Sequence, residues 1–288
     1  MPHPLPTIGI SSWSLHRRLG ISWPHTPAND LATRSESTWG PGELALLDLP
    51  GEIAARGIRH LHLCHFHLAS REPDYLREVR AAIEKAGVTL EALLIDDGDI
   101  AQPDEAVRRR DIDWIACWIV TAAALGARKA RVVAGKQMPT PEALARSIAG
   151  LRELAKRGKA AGVRVITENW FDTLGGPKEV EAVLSALAGE VGLLADFGNW
   201  KGAGKYAALA AILARAEDTH AKAHFEPGGA MDADDFGRCL AAAADAGYRG
   251  PYTLIYEGAG GDEWAAIETE RAFLTDFLAR RAPARKAG

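Results

Sequence analysis

The chain of 288 residues predicts a single (β/α)8 barrel, an α/β fold of eight parallel strands each followed by a helix, on three observations. First, a helical stretch ending in glycine and followed at once by an apolar run recurs: Gly57-Ile-Arg, Gly87-Val-Thr, Gly126-Ala-Arg, Gly162-Val-Arg and Gly247-Tyr-Arg. Glycine takes the left-handed conformation that closes a helix at little cost, so these positions mark helix ends. Their recurrence at roughly 27–40 residues is the length of one strand-plus-helix unit. Second, the apolar runs are short and do not alternate strictly, as expected of strands covered by helices on their outer face. Third, with 47% apolar and 25% charged residues the composition is that of a globular protein, and one large barrel commonly uses this length.

The eight strands fall near residues 7–12, 58–64, 88–95, 128–134, 163–168, 191–196, 217–221 and 251–257. Between them, Leu76, Val79 and Ile83 recur at helical spacing, as do Trp114, Ile115, Trp118 and Ile119, and then Trp264, Ile267, Leu274 and Phe277. Core packing is the expectation for Trp114, Trp118 and Trp264. Pro103, Pro141 and Pro177 stand where helices should begin. The connection over residues 15–48 lacks periodicity and carries Trp23, His25 and Trp39, and structureless loops of that length are uncommon unless functional. Following the first strand, it is expected to cover the barrel mouth as a lid; the alternative is a disordered insertion. Residues 282–288 are basic, rich in small side chains and expected to fray.

The net charge of -4 and pI of about 6.2 argue against nucleic acid or an anionic membrane as partner. No uncharged apolar stretch is long enough to span a bilayer, and the first residues show no basic segment followed by an apolar run. Cys64, Cys117 and Cys239 are odd in number, widely spaced and set in apolar surroundings, which reads as reduced core thiols and a cytoplasmic protein.

Four strand ends carry the chemistry: Val-Arg-Val-Ile-Thr-Glu168, Val-Gly-Leu-Leu-Ala-Asp196, Thr-His220-Ala-Lys222 and Tyr-Thr-Leu-Ile-Tyr-Glu257. A parallel barrel places its active site at the C-terminal ends of its strands. Glu168, Asp196, His220 and Glu257 should therefore converge. Any one acid alone is read as readily as a cap for the helix that follows it. Four such groups on consecutive strands point instead to a divalent metal. Three oxygen donors and one nitrogen suit Mn²⁺, Mg²⁺ or Co²⁺, and are compatible with Zn²⁺.

Glu168-Asn169-Trp170, Asp196-Phe-Gly-Asn199-Trp200, His220-Ala-Lys222 and Tyr256-Glu257-Gly258, with the opening Ile8-Gly-Ile-Ser-Ser-Trp13-Ser14, resemble the xylose-isomerase-like TIM barrels, the sugar phosphate isomerase/epimerase group, over nearly the whole chain. The resemblance implies that Glu168, Asp196, His220 and Glu257 are the metal ligands and that Glu168 and Glu257 also move the substrate proton. A carboxylate on each face of a planar enediolate can remove a proton on one side and return it on the other, or return it to the adjacent carbon, giving epimerisation or isomerisation of a small carbohydrate. A dehydratase acting on an inosose-like ketone is the alternative enzyme, and a non-catalytic sugar-binding barrel the alternative of another class. An association of copies through outer helices is open.

Further candidates surround this set. His220 is preferred over His224 as ligand because it closes its strand, and His224 is then a substrate contact or a loop histidine. Lys222 binds a substrate oxygen or pairs with an acid. Asn169 and Asn199 orient ligands or contact hydroxyls. Trp13, Trp170 and Trp200 offer flat faces to a sugar, or pack. His60, His62, His65 and His67 crowd eight residues, and His65 or His67 is expected to reach substrate. Asp96, Asp97 and Asp99 are similar candidates, or turn formers with Gly98. Gly258 to Gly261 offers either a phosphate site or a flexible turn.

Two departures from the resemblance matter. Epimerases of free keto-hexoses carry an acid six residues after the first ligand and an arginine six after the histidine, where this chain has Leu174 and Glu226. The apurinic endonucleases of the same group carry a histidine three residues after the aspartate, where this chain has Asn199, so phosphodiester cleavage is a poor reading.

Overall fold

The computed structural model describes residues 6–258 and 261–281. Eight parallel strands close into a barrel in sequence order: β1 Ile8–Ser11, β2 His60–Cys64, β3 Thr89–Ile95, β4 Lys129–Val132, β5 Arg164–Glu168, β6 Gly192–Asp196, β7 Ala216–Lys222 and β8 Tyr252–Ile255. Closure is made by β1 on β8, with Ile8 opposite Tyr252 and Ile10 opposite Leu254. The helices are α1 His16–Leu19, α2 Leu49–Ala55, α3 Pro73–Lys85, α4 Glu105–Leu125, α5 Pro141–Ala161, α6 Pro177–Leu187, α7 Lys205–Leu213, α8 Ala233–Asp245 and α9 Glu263–Arg281.

The punctuation expected from the sequence is present. Gly57, Gly87, Gly126, Gly162 and Gly247 follow helices with φ between 64° and 78°, the region in which a Cβ is strained. Pro141 and Pro177 open α5 and α6, where a missing N–H costs nothing. Pro103 does not open a helix. Asp104 caps α4 instead, accepting a hydrogen bond from the Val107 N–H at 3.0 Å. The core lies between barrel and helix ring. Leu76, Val79, Ile83, Trp114, Ile115, Trp118, Ile119, Trp264, Ile267 and Leu274 are buried there, and Phe277 packs partly buried against it.

Cys64 and Cys239 are buried free thiols, but Cys117 is exposed, on the face of α4 turned away from the core. The expectation of three core thiols is corrected at that position: the buried stripe of α4 takes Ala116 and Trp118 on either side of it. No described helix is long and apolar enough to cross a membrane.

The segment between α1 and α2 packs beside the mouth, over the turn that follows β2. The Trp23 N–H donates to the Phe66 carbonyl at 2.7 Å, and His25 bridges the Leu68 carbonyl and the Ala32 N–H at 2.8 and 3.0 Å. Ser22 and Glu36 pair as a short antiparallel bridge. Trp39 joins Trp13, His16 and Phe66 in an aromatic group with ring separations of 4.5 to 6.3 Å. The tail 282–288, and residues 259–260 of the segment from Gly258 to Gly261, lie outside the described residues.

Candidate metal centre

Glu168 ends β5, Asp196 ends β6 and His220 lies in β7, opposite Asp196 in the strand register. Alternation along parallel strands turns all three inward at one level of the lumen. They are 2 to 4% exposed, and one donor atom from each lies within 4.8 Å of the others. The imidazole Nδ1 of His220 is 3.5 Å from Asp196 Oδ2 and 3.6 Å from Glu168 Oε1.

Two asparagines hold the acids. The Asn169 side chain accepts from the Asp196 N–H at 2.7 Å and donates to the Asp196 carbonyl at 3.1 Å, extending the β5–β6 pairing past the strand ends. Asp196 Oδ1 accepts from the N–H groups of Gly198 and Asn199 at 2.6 and 2.9 Å, which leaves Oδ2 for His220. The Asn199 amide donates to Glu168 Oε1 at 2.8 Å. Both asparagines therefore orient the two acids.

The trio forms the floor of a cavity of about 400 Å³ lined also by Trp13, Asp96, Arg131, Trp170, Lys201, Lys222 and Glu257. Larger surface clefts lie elsewhere, one at the opposite barrel end near Gly57 and His60, but among the described residues they bring no comparable group of acids and histidines together.

Glu257 stands apart from the trio. β8 stops at Ile255, two residues before it, so the glutamate sits at the rim with its side chain 43% exposed. Its carboxylate accepts from Lys222 Nζ at 2.7 Å and from Trp13 Nε1 at 3.1 Å. The expectation that Glu257 closes a buried strand is thus corrected, and its carboxylate is engaged by a lysine rather than grouped with the other three. Lys222 takes the acid-paired role of its two, while facing the cavity.

Arg131, which the sequence reading missed, reaches in from β4. It is 3% exposed, ion-pairs with Asp96, and places Nε 3.0 Å from Glu168 Oε2. Its ring-facing neighbour is Trp170, 5.1 Å from the guanidinium carbon. The only sequence signal was an arginine between Ala130 and Val132 in the short strand Lys129–Val132. Asp96 is therefore a cavity residue, whereas Asp97 pairs with Lys136 and Asp99 accepts from the N–H groups of Ala101 and Lys136 as a turn former.

The remaining candidates separate. Trp13 and Trp170 line the cavity. Trp200 is buried and donates to the Leu174 carbonyl at 3.3 Å, so it packs. His224 is exposed and lies in a neighbouring cleft with Lys205 and Phe225. His65 and His67 do not line the cavity. They are buried in the turn after β2, where His65 meets Trp114 and Trp118 edge-on and His67 Nδ1 is 2.9 Å from Ser12 Oγ. A three-residue 3-10 turn directs both rings behind the wall instead of into the mouth.

The electrostatics of the floor depend on partners more than on burial. Burial alone would deprotonate His220, but Glu168 and Asp196 overcome it and lift its pKa to about 9. Burial opposes ionisation of Asp196, yet Lys222, His220 and the Gly198 N–H hold its pKa down at about 2. Lys222 stays protonated above its ordinary range because Asp196 and Glu257 outweigh its burial. Arg131 pairs with both Asp96 and Glu168, and Lys222 faces both Asp196 and Glu257. Glu168 and Asp196 hold a proton on His220, the charge that a divalent cation would replace.

The donor set fits such an ion: two carboxylates and an imidazole, buried and within reach of one centre. Displacing the proton from His220 Nδ1 would expose the nitrogen lone pair to the same centre.

The chain belongs to the family described as xylose isomerase-like TIM barrel, which matches residues 45–277. Among solved structures it is similar to an L-ribulose 3-epimerase, with 19% identity, TM-score 0.69, and 99% of this chain and 100% of that chain covered. It is similar to the 3-keto-D-glucoside 4-epimerase of E. coli, with 17% identity, TM-score 0.67, and 94% and 99% covered. It also resembles a xylose isomerase-like TIM barrel protein of Mycobacterium smegmatis in complex with magnesium, with 17% identity, TM-score 0.61, and 81% and 88% covered. At these identities the likeness establishes a shared barrel. No curated protein matches the sequence.

Proposed function

We propose that the protein is a divalent-metal-dependent isomerase or epimerase of a small keto sugar or related polyol ketone, working by abstraction and return of a proton next to the carbonyl. The observation that carries this reading is the meeting of Glu168, Asp196 and His220 on the floor of a polar cavity whose rim holds a second glutamate. The family membership and the epimerase titles of structural neighbours support it.

Glu168, Asp196 and His220 would hold the ion, which when bound acts as a Lewis acid for the carbonyl and neighbouring hydroxyl oxygens of the sugar. Glu257 would approach the substrate carbon from the rim and Glu168 from the floor, so that one carboxylate takes the proton and the other delivers one to the opposite face. Lys222 would hold Glu257 in place and supply positive charge to oxygens of the developing enediolate. Trp13 and Trp170 would cover the apolar face of the sugar ring and limit water. Leu174 is buried and Glu226 is exposed near His224, so neither supplies the cavity with the polar contacts that free keto-hexose epimerases use at those positions.

The test is solvent exchange. The protein loaded with Mn²⁺ is incubated in D₂O with a panel of ketoses, their phosphates and inosose, and products are read by mass. Uptake of one deuterium that depends on added metal is expected, and Glu168→Gln should abolish it. Loss of water from the product would assign the dehydratase instead. No exchange across the panel, or full exchange by Glu168→Gln, would refute the proposal.

A further inference from the structure

Inside the barrel, below the floor of the cavity, a line of polar side chains crosses the lumen between strands that are not neighbours. His62 of β2 is 1% exposed. Its Nδ1 lies 3.2 Å from Nε2 of His220 on β7, and its Nε2 lies 3.3 Å from Oδ2 of the fully buried Asp218. Asp218 Oδ2 also accepts from Lys129 Nζ of β4 at 2.7 Å, and its Oδ1 accepts from the Thr219 N–H at 2.9 Å. Thr253 Oγ1 of β8 is 3.3 Å from the same His62 nitrogen. Four strands thus contribute to one buried chain that ends on the candidate ligand.

We infer that His62 is a positioning residue for the metal centre: the buried line Lys129–Asp218–His62–His220 fixes the tautomer of His220 and keeps its Nδ1 facing Glu168 and Asp196. This rests on the reading of that trio as a metal site. Lys129 and the Thr219 N–H only donate, so the Asp218 carboxylate accepts from both. The nitrogen of His62 facing that carboxylate must therefore carry the hydrogen. A neutral His62 with its hydrogen on Nε2 has a lone pair on Nδ1. His220 Nε2, the nearest polar atom to that lone pair, is then the donor. With its hydrogen on Nε2, a neutral His220 presents the lone pair of Nδ1 to the acids, the form a cation requires.

Metal-bound histidines ordinarily donate the second N–H to a carboxylate, carbonyl or water. Here a second histidine stands between ligand and carboxylate, which carries the constraint from one side of the barrel to the other. A phenylalanine at position 62 would fill the space but accept nothing. An asparagine at position 218 would set its NH2 group against one of the donors that the carboxylate now accepts from, Lys129 Nζ and His62 on one oxygen or the Thr219 N–H on the other, and would break the line there.

The experiment compares parent, His62→Phe and Asp218→Asn as full-length chains, with Mn²⁺ affinity by calorimetry and His220 ring signals by ¹⁵N NMR on the metal-free protein. Expected is an affinity loss of about 10–100-fold in both variants. A slowly exchanging His220 Nε2–H signal should be present in the parent and absent in His62→Phe. Affinity in His62→Phe within twofold of the parent, with that signal retained, would overturn the inference. Should His62→Phe fail to fold, the near-isosteric Asp218→Asn decides by the same two readouts. A parent that binds no Mn²⁺ would overturn the metal reading, and the metal-free NMR signal would still decide whether His62 holds the ring.

Discussion

At the β2 side of the mouth, His65 and His67 are buried among Phe66, Trp114, Trp118 and Ser12, while at the β7 side His220 is buried against Glu168 and Asp196. Burial is nearly the same, with 2, 4 and 4% exposure, yet the rings ionise in opposite directions. Desolvation lowers His65 and drives His67 down to about 3, whereas the two carboxylates lift His220 to about 9. Removing a histidine from water always disfavours its charge; only fixed anions reverse the outcome. Four histidines in eight residues made β2 the louder signal in the sequence. The quieter single histidine of β7 has the partners that permit chemistry.

The largest expected effect tests the β7 side. Glu168→Gln should reduce metal-dependent solvent exchange by about 10²–10⁴-fold, the usual worth of a general acid or base. His67→Phe should leave exchange within about twofold, because the ring packs behind the wall and the hydrogen bond it would lose, to Ser12 Oγ, is made outside the cavity. If His67→Phe lost activity as Glu168→Gln does, the contrast between the two regions would fail.

The second effect concerns pH and uses metal-free protein, with stability from urea unfolding. His67 has its folded pKa below the unfolded value of 6.5, so its buried neutral form destabilises the fold progressively as pH falls from 6.5 toward 3. His16, His25 and His65 shift in the same direction, each led by burial. His220 has its folded pKa above the unfolded one. Its contribution is complete below pH 6.5 and is lost as pH rises toward about 9, on the order of 3 kcal/mol. Stability should therefore decline on both sides of neutrality. Mn²⁺ should flatten the alkaline limb, because the cation replaces the proton. An alkaline limb that ignores Mn²⁺ would separate His220 from metal binding.

The third effect is smaller and of unexpected sign. Lys222→Met removes a cation that stabilises both Asp196 and Glu257. Mn²⁺ affinity should rise roughly fivefold, about 1 kcal/mol of relieved repulsion, while exchange falls because Glu257 loses its anchor. Unchanged affinity would place Lys222 electrically outside the centre. The smallest effect is Trp13→Phe. It keeps a ring in the group with His16 and Trp39 but loses the hydrogen bond to the exposed Glu257, and should cost about 0.5 kcal/mol of stability with a modest rise in KM.

The sequence alone determined the barrel, its eight strands and five of its helix ends, because these follow from local rules: runs of apolar residues and glycines that close helices. It also located Glu168, Asp196 and His220, since a strand end in a parallel barrel is a position along the chain and at the mouth at once. Only the tertiary structure decided which groups face which. Arg131 beside Glu168, Lys222 on Glu257, the withdrawal of His65 and His67 into the wall, and the line from Lys129 through His62 to His220 all join groups that are not sequence neighbours. Their meeting depends on strand register, on where β8 stops, and on the turn after β2. Charge and hydrogen bonding act through space, and no periodicity along the chain records who the partner is.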